Sequence, residues 1–177
     1  MLAASIMATP QTSLRQKPEQ SSGIITVEGD KVIWHNEDLV FATFNLSDIV
    51  VIGEKTNSNG PWFDDWFLTF VTKDGNWLDI PWYADNIEDL TKILCDKFQP
   101  DLNVSYLTNS TKWNSIVRHP STLKGKNLFV LTPTKNYKEP KTFFDKILSS
   151  VGLGNFDTTK EVSLTDEVKK VLTNASR

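Results

Sequence analysis

The sequence has little of what catalytic, secreted or membrane proteins normally need, beginning with cysteine and histidine. Among 177 residues there are one cysteine, Cys95, and two histidines, His35 and His119. One cysteine excludes an internal disulfide framework and fits a reducing compartment, so the sequence predicts a cytoplasmic protein. The spacing of these three residues matches no metal-ligand pattern, and we expect no metal site. Cys95 is interpreted as a small, partly buried helix residue.

Long apolar runs and catalytic motifs are missing as well. No run approaches the roughly 20 apolar residues of a membrane helix, and residues 1–10 lack the basic start and apolar block of a secretion signal. There is no phosphate-binding glycine loop, no Gly-x-Ser-x-Gly and no His-Glu-x-x-His. The adjacent carboxylates Asp64 and Asp65 begin a strand, where neighbouring side chains point to opposite faces. They are not expected to act as a pair, and the sequence predicts a protein that is not an enzyme and uses no cofactor.

The clearest pattern lies between residues 65 and 98, which predicts two aromatic strands, a tight turn and an amphipathic helix. A two-residue turn at Asp74-Gly75 would set Phe70 opposite Asp79 and mix apolar and charged side chains on one face. A three-residue turn, with Gly75 left-handed, keeps the apolar face together and is favoured for that reason. It predicts these opposing pairs: Phe70 with Leu78, Leu68 with Ile80, Trp66 with Trp82, Thr69 with Asp79, and Phe67 with Pro81.

The helix is predicted over residues 86–98. Asp85 is the expected N-cap, and Glu88 three residues later completes a capping box. Apolar residues recur at helical spacing and form one stripe, which must pack against the preceding sheet: Ile87, Leu90, Leu94 and Phe98. Pro100 ends the helix.

The rest of the chain is divided into a tail, further strands and a basic extension. Residues 1–22 are rich in Gln, Ser, Thr and Pro and predict a disordered tail. Four strands are expected before the central pair, and an antiparallel meander is the simplest topology: Ile24–Glu28, Lys31–Asn36, Leu39–Leu46 and Ile49–Glu54. The Gly29-Asp30 turn predicts that Val27 pairs with Val32 and Ile25 with Trp34.

Residues 101–177 form the extension. Residues 104–107 and 128–132 could be strands, and the stretch 112–119 is ambiguous. A short helix is expected from Pro140, and Ser163 with Asp166 suggests a last helix to about Thr173. Residues 24–100 contain 14 acidic and 5 basic residues, whereas residues 101–177 contain 7 acidic and 12 basic residues. The basic half either packs beside the acidic half or offers a surface to phosphates or lipid head groups.

Three stretches carry a resemblance to the pleckstrin-homology-like barrel, in its small bacterial form. They are Phe44-Asn45-Leu46-Ser47-Asp48-Ile49, Trp66–Phe70 with Asp74-Gly75, and Ile87–Phe98. The resemblance covers residues 23–99 and implies an α+β domain. The expected fold is a small antiparallel barrel or strongly bent sheet of about six to seven strands, closed by an amphipathic helix. A helical C-terminal extension is expected to follow it. Lipid-binding members use a basic first hairpin, whereas this chain has Glu28-Gly29-Asp30-Lys31. Phosphoinositide recognition at that hairpin is therefore not expected.

The most suggestive surface residues lie in an aromatic loop, Pro61-Trp62-Phe63-Asp64. Large aromatic residues on a loop either fold over the open end of the barrel or bind a partner. The leading prediction is a non-catalytic protein-interaction module of the kind seen in immunity proteins, with Trp62, Phe63 and Asp64 binding an unidentified protein. The alternative is peripheral membrane or anionic-lipid binding by the basic half, through five residues: Lys138, Lys141, Phe143, Phe144 and Lys146. No nucleic acid is expected as a partner.

Overall fold

The computed structural model describes residues 21–37, 39–59, 63–98, 102, 107, 112–133 and 160–175. These residues form an α+β structure with mostly antiparallel strands in three sheets and two α-helices. The strands are β1 (Ile24–Glu28), β2 (Lys31–Asn36), β3 (Leu39–Asn45), β4 (Ile49–Thr56), β5 (Trp66–Thr72), β6 (Trp77–Pro81), β7 (Asn114–His119), β8 (Phe129–Pro133) and β9 (Lys160–Leu164). The helices are α1 (Ile87–Lys97) and α2 (Asp166–Ala175).

Both predicted hairpin registers are confirmed. In the N-terminal sheet, of order β1-β2-β3, Val27 pairs with Val32 and Ile25 with Trp34. In the β5–β6 hairpin, four predicted pairs are present, from Phe70 opposite Leu78 to Phe67 opposite Pro81. Beyond the strands, the Trp82 amide donates to the Trp66 carbonyl at 2.9 Å and the two indole rings stack. The Thr72 amide donates to the Asn76 carbonyl at 2.9 Å, and Gly75 is left-handed with φ 82°. The turn therefore has three residues, because this register keeps the apolar side chains on one face.

The predicted single meander is wrong. The central sheet has the order β6-β5-β4-β7, and β3 pairs with β2 but not with β4. A 3₁₀ turn at Leu46–Asp48 carries the chain from the N-terminal sheet to the central sheet. The position beside β4 is taken by β7, which comes after the helix and resolves the ambiguous stretch 112–119. Among the described residues, the strands do not close into one barrel.

The central sheet is covered on both faces, which explains why β4 and β5 are buried along most of their length. On one face, the N-terminal sheet and α1 share a core with it, which contains Ile25, Val32, Phe44, Ile52, Leu68, Phe70, Ile80, Leu90 and Leu94. On the other face, the β8–β9 hairpin and α2 enclose a second core, which contains Val51, Val71, Val117, Leu128, Phe129, Leu164, Val168 and Leu172. Of the apolar stripe predicted on α1, Ile87, Leu90 and Leu94 are buried and Phe98 is half-buried.

The predicted N-cap of α1 is wrong by one residue. Asn86 occupies the N-cap position in a left-handed conformation, and its side chain donates to the Ile25 carbonyl at 3.0 Å. Asp85 instead uses its backbone to bridge to β1: its amide donates to Gly23, and its carbonyl accepts from the Ile25 amide. Tertiary hydrogen bonds to β1 thus replace the capping box.

The last helix was predicted to begin near Ser163, but that residue belongs to β9. This strand pairs with β8, with Val130 opposite Ser163, and α2 begins at Asp166. Residues 1–20 of the expected tail (1–22), residues 104–106 of the strand expected at 104–107, and the helix after Pro140 lie outside the described residues, whereas Ser21 and Ser22 are described and form hydrogen bonds. Within the described part of the chain, neither helix has the length and apolar character required to cross a membrane.

Candidate interaction surface

Among the described residues, the three most exposed large apolar side chains are Phe63 in the aromatic loop and Leu39 and Val40 in β3. Leu39, Val40 and Phe41 are 62%, 57% and 44% exposed, and Phe63 is 72% exposed. β3 is an edge strand of the N-terminal sheet. Natural edge strands usually carry charges or proline that discourage pairing, but β3, with the sequence LVFATFN, has neither. We call Leu39, Val40, Phe41 and Phe63 the edge surface.

A β-bulge positions Phe41. Trp34 pairs with Ala42 and His35 pairs with Val40, so that Phe41 is the extra residue on β3. A bulge redirects a side chain and bends its strand. Here the Phe41 ring lies 4.7 Å from the Trp34 ring, measured between ring centroids.

The segment before β1 packs against this aromatic pair. The Trp34 indole donates from Nε1 to the Ser22 carbonyl at 2.9 Å. Gly23 has φ 98°, and a Cβ added there would lie 2.6 Å from Trp34 Nε1 and 3.2 Å from the Phe41 ring. Only glycine permits both this backbone conformation and this close approach.

Ser22 also connects the pair to the aromatic loop. Its hydroxyl donates to Asp64 Oδ1 at 2.6 Å. A chain of contacts therefore runs from Phe41 through Trp34 and Ser22 to Asp64, which is adjacent in sequence to Phe63. Strand β3 and the loop, 22 residues apart between Phe41 and Phe63, are thereby held in one part of the molecule.

The base of the loop is fixed by backbone contacts. The Asn57 amide donates to the Asp65 carbonyl at 2.9 Å, and the Asn57 side chain donates to the Asp64 carbonyl at 3.4 Å. The Asp65 carboxylate accepts from the Tyr83 hydroxyl at 2.9 Å, whereas the Asp64 carboxylate accepts from Ser22. The two adjacent carboxylates therefore have different side-chain partners, although they precede β5, which begins at Trp66.

The structure places the three predicted partner-binding residues as follows. Phe63 projects into solvent instead of folding over the core, and Asp64 is half-buried against Ser22. Trp62 lies outside the described residues, as do the five predicted lipid-binding residues: Lys138, Lys141, Phe143, Phe144 and Lys146. Membrane binding through those five residues stays a prediction. Sequence reasoning missed Leu39, Val40 and Phe41, although the absence of charge in this strand was a signal for them.

A second polar cluster is buried within the central sheet. Glu54 and Arg118 are 0% and 2% exposed, and they form an ion pair at 3.0 Å. Glu54 Oε1 also accepts from Trp66 Nε1 at 2.7 Å and from the Leu107 amide at 3.0 Å. A carboxylate with these partners and no access to solvent is suited to a structural function. The sequence analysis did not identify Glu54 as buried, although strand alternation places it on the same face as the apolar residue Ile52.

The two histidines and the cysteine considered for metal binding belong to different elements: His35 to β2, Cys95 to α1 and His119 to β7. His119 ends β7, its ring lies 5.1 Å from the Phe98 ring, and burial lowers the pKa of its imidazole. Cys95 is half-buried on α1, as predicted. Across the described segments, there is no group of three or more His, Cys, Asp or Glu side chains arranged to hold a metal ion.

Comparison with known proteins adds no family assignment. No family model matches the chain, and no curated protein or solved structure is significantly similar to it. The function must therefore be inferred from the residues themselves.

Proposed function

We propose that this protein is a non-catalytic interaction module, and that its edge surface binds another protein. The observation that carries the proposal is the chain of contacts Phe41–Trp34–Ser22–Asp64, which links the exposed strand β3 to the residue next to the exposed Phe63. Exposed apolar residues that are scattered singly need no explanation, but a group of them beside an edge strand is typical of a binding surface.

The expected energetics favour a protein partner. Burying a side chain such as leucine, valine or phenylalanine contributes about 1.5–3 kcal/mol. Aromatic residues whose neighbours exclude water are frequent hot spots in protein interfaces. Phe63 and Phe41 are the anchors that we expect to contribute most to binding.

The resemblance to pleckstrin-homology-like domains belongs to the same proposal. The N-terminal sheet, the central sheet and α1 share one core, an arrangement compatible with a strongly bent sheet that a helix covers. Domains of that kind bind different partners on unrelated surfaces, so the fold supports an interaction function without naming the partner. An immunity-type protein that neutralises a basic toxin fits the acidic composition of residues 24–100.

The test compares partner capture by the full-length protein and by a Trp62→Ser/Phe63→Ser variant in extracts of the native cell. We expect the variant to lose the captured protein while its melting temperature stays close to that of the parent, because Phe63 makes little contact with the core. The matched control is Val162→Ser, which changes an exposed apolar residue on β9. Unchanged capture by the Trp62/Phe63 variant would contradict the proposal. A large loss of stability would instead support folding of the loop over the core.

A further inference from the structure

The unpaired edge of β3 has the geometry that an added strand requires. Strand β3 pairs with β2 along its whole length, from Lys31 opposite Asn45 to Asn36 opposite Leu39. On its other side, no strand of the described residues pairs with it. An edge of this kind presents backbone N–H and C=O groups to an extended segment, which can bind by continuing the sheet.

The side chains along β3 divide the edge into two parts. At its start, Leu39, Val40 and Phe41 are all exposed apolar residues. Towards its end, the exposed residues are Thr43 and Asn45, while Phe44 between them enters the core. A segment lying beside β3 would therefore place apolar side chains at one end and polar side chains at the other.

The charged residues near β3 indicate which kind of segment would bind beside it. The exposed residue Glu37 precedes β3, and Asp64 lies beside the Phe41–Trp34 pair through Ser22. At the far end, Lys31 on β2 lies opposite Asn45, and the Asp48 carboxylate is paired with Lys73 at 2.6 Å, so the acidic character is confined to the start of the strand. Strand β3 itself contains no basic residue. Residues 24–100 carry 14 acidic and 5 basic residues, so the surroundings of this edge favour a positively charged segment.

Charge also bears on pairing with a second copy of the chain. Strand β3 contains no basic residue, so a second β3 strand would offer the Glu37 carboxylate no counter-charge. A basic segment offers that counter-charge, and charge complementarity therefore favours it over a second copy.

We propose that the edge surface binds an extended segment of a partner protein, rich in lysine or arginine and containing apolar residues at one end, which adds as a strand alongside β3. This inference rests on the proposed interaction function and specifies the chemistry of the partner. Backbone hydrogen bonds would supply sequence-independent affinity. The apolar residues would pack on Leu39, Val40 and Phe41, and the basic residues would face Glu37 and Asp64.

The test selects random displayed peptides on the immobilised full-length protein. The enriched peptides are then synthesised and measured by fluorescence anisotropy. We expect enriched sequences to combine lysine or arginine with apolar residues, and binding to shift the backbone amide NMR signals of residues 39–45. Changing Glu37→Lys should weaken binding about two- to fivefold at low salt, the size expected for an exposed charge pair, and less at high salt. The matched control, Glu88→Lys, makes the same charge change on the exposed face of α1 and should leave the affinity unchanged.

Three results would overturn the inference: no enrichment, enrichment of acidic or uncharged peptides, or amide shifts remote from β3. Sedimentation equilibrium provides a further test, because a dimer abolished by Val40→Lys would show that a second copy occupies the edge. These experiments distinguish failure of this inference from failure of the proposed interaction function. If the cellular partner is lost in the Trp62/Phe63 variant but the selected peptides are not basic, the interaction function stands and the basic segment is rejected. If capture is unchanged and no peptide binds, both are rejected.

Discussion

The carboxylate of Glu54 lies 3.0 Å from the guanidinium of Arg118, and both side chains are buried. The pair joins β4, which precedes α1, to β7, which follows it. Two further groups donate to Glu54: the indole of Trp66, which lies on β5, and the amide of Leu107, which follows α1 in the chain. A buried charge is tolerated only with such partners. The pair therefore specifies which strand occupies the position beside β4.

Removing one member of this pair should be strongly destabilising. Arg118→Met leaves the Glu54 carboxylate buried without its counter-charge, and we expect a loss of about 3–5 kcal/mol in the free energy of unfolding. The double variant Glu54→Leu/Arg118→Met should recover much of that loss, because it leaves no buried charge. Urea unfolding of the parent, both single variants and the double variant measures the coupling. Additive effects of the two changes would contradict an interaction between them.

The apolar stripe of α1 provides a second prediction. Leu90 is fully buried in the core that α1 shares with both sheets. Leu90→Ala should lower the free energy of unfolding by about 2–5 kcal/mol, through lost burial and the cavity left behind. Asp89→Ala, on the exposed face of the same helix, is the control and should change stability by less than about 0.5 kcal/mol. A loss of that small size for Leu90→Ala would mean that the helix packs through another face.

Gly53 provides a test of the second core. A Cβ added at Gly53 would overlap the Leu128 side chain and lie 3.1 Å from the Ile116 carbonyl oxygen. Gly53→Ala should therefore cost about 1–3 kcal/mol, the usual penalty for overpacking. The Leu128→Ala background removes the overlapping side chain, so the same change should cost less there. An equal cost in both backgrounds, measured by thermal unfolding, would indicate that Leu128 does not pack on Gly53.

Asp30 should make stability depend on pH under acidic conditions. Hydrogen bonds from Lys97 and Ser47 lower its pKa from 3.8 to about 2. Because the pKa is lower in the folded state, the stabilisation is present above pH 3.8 and is lost as the pH falls towards about 2. The difference in melting temperature between the parent and Asp30→Asn should therefore narrow over this interval. NMR titration of the Asp30 carboxyl in Lys97→Gln should give a higher pKa than in the parent, and an unchanged value would exclude Lys97 as the main cause.

The local elements could be predicted from the sequence because neighbouring residues determine them. Apolar alternation in β5 and β6 permits one register, and that register requires the three-residue turn at Gly75. The Gly29-Asp30 turn and the apolar pairs beside it determine the first hairpin in the same way. Helix α1 follows from the spacing of Ile87, Leu90 and Leu94, which requires no knowledge of the surrounding fold.

The candidate site was predicted only in part. Aromatic residues at 62 and 63 stood out in the sequence, because large apolar side chains are uncommon in a polar loop. The contribution of β3 could not be predicted, since the exposure of Leu39 and Val40 depends on which strand ends at the sheet edge. The bulge that places Phe41 on Trp34 depends on pairing with β2 and has no clear signal in β3 alone.

By itself, the sequence determined strands β1 to β6, both hairpins and the amphipathic helix, because these elements depend on interactions between residues close in the chain. Only the tertiary structure decided that β7 lies beside β4, that Asn86 replaces Asp85 at the start of α1, and that Phe41 is linked through Trp34 and Ser22 to Asp64, the neighbour of Phe63. Each of these features depends on contacts between distant segments: the Glu54–Arg118 ion pair, the hydrogen bonds of residues 85 and 86 to β1, and the Ser22–Asp64 hydrogen bond. Such contacts form only when the whole chain has folded, because burial of both faces of the central sheet determines which segments come together.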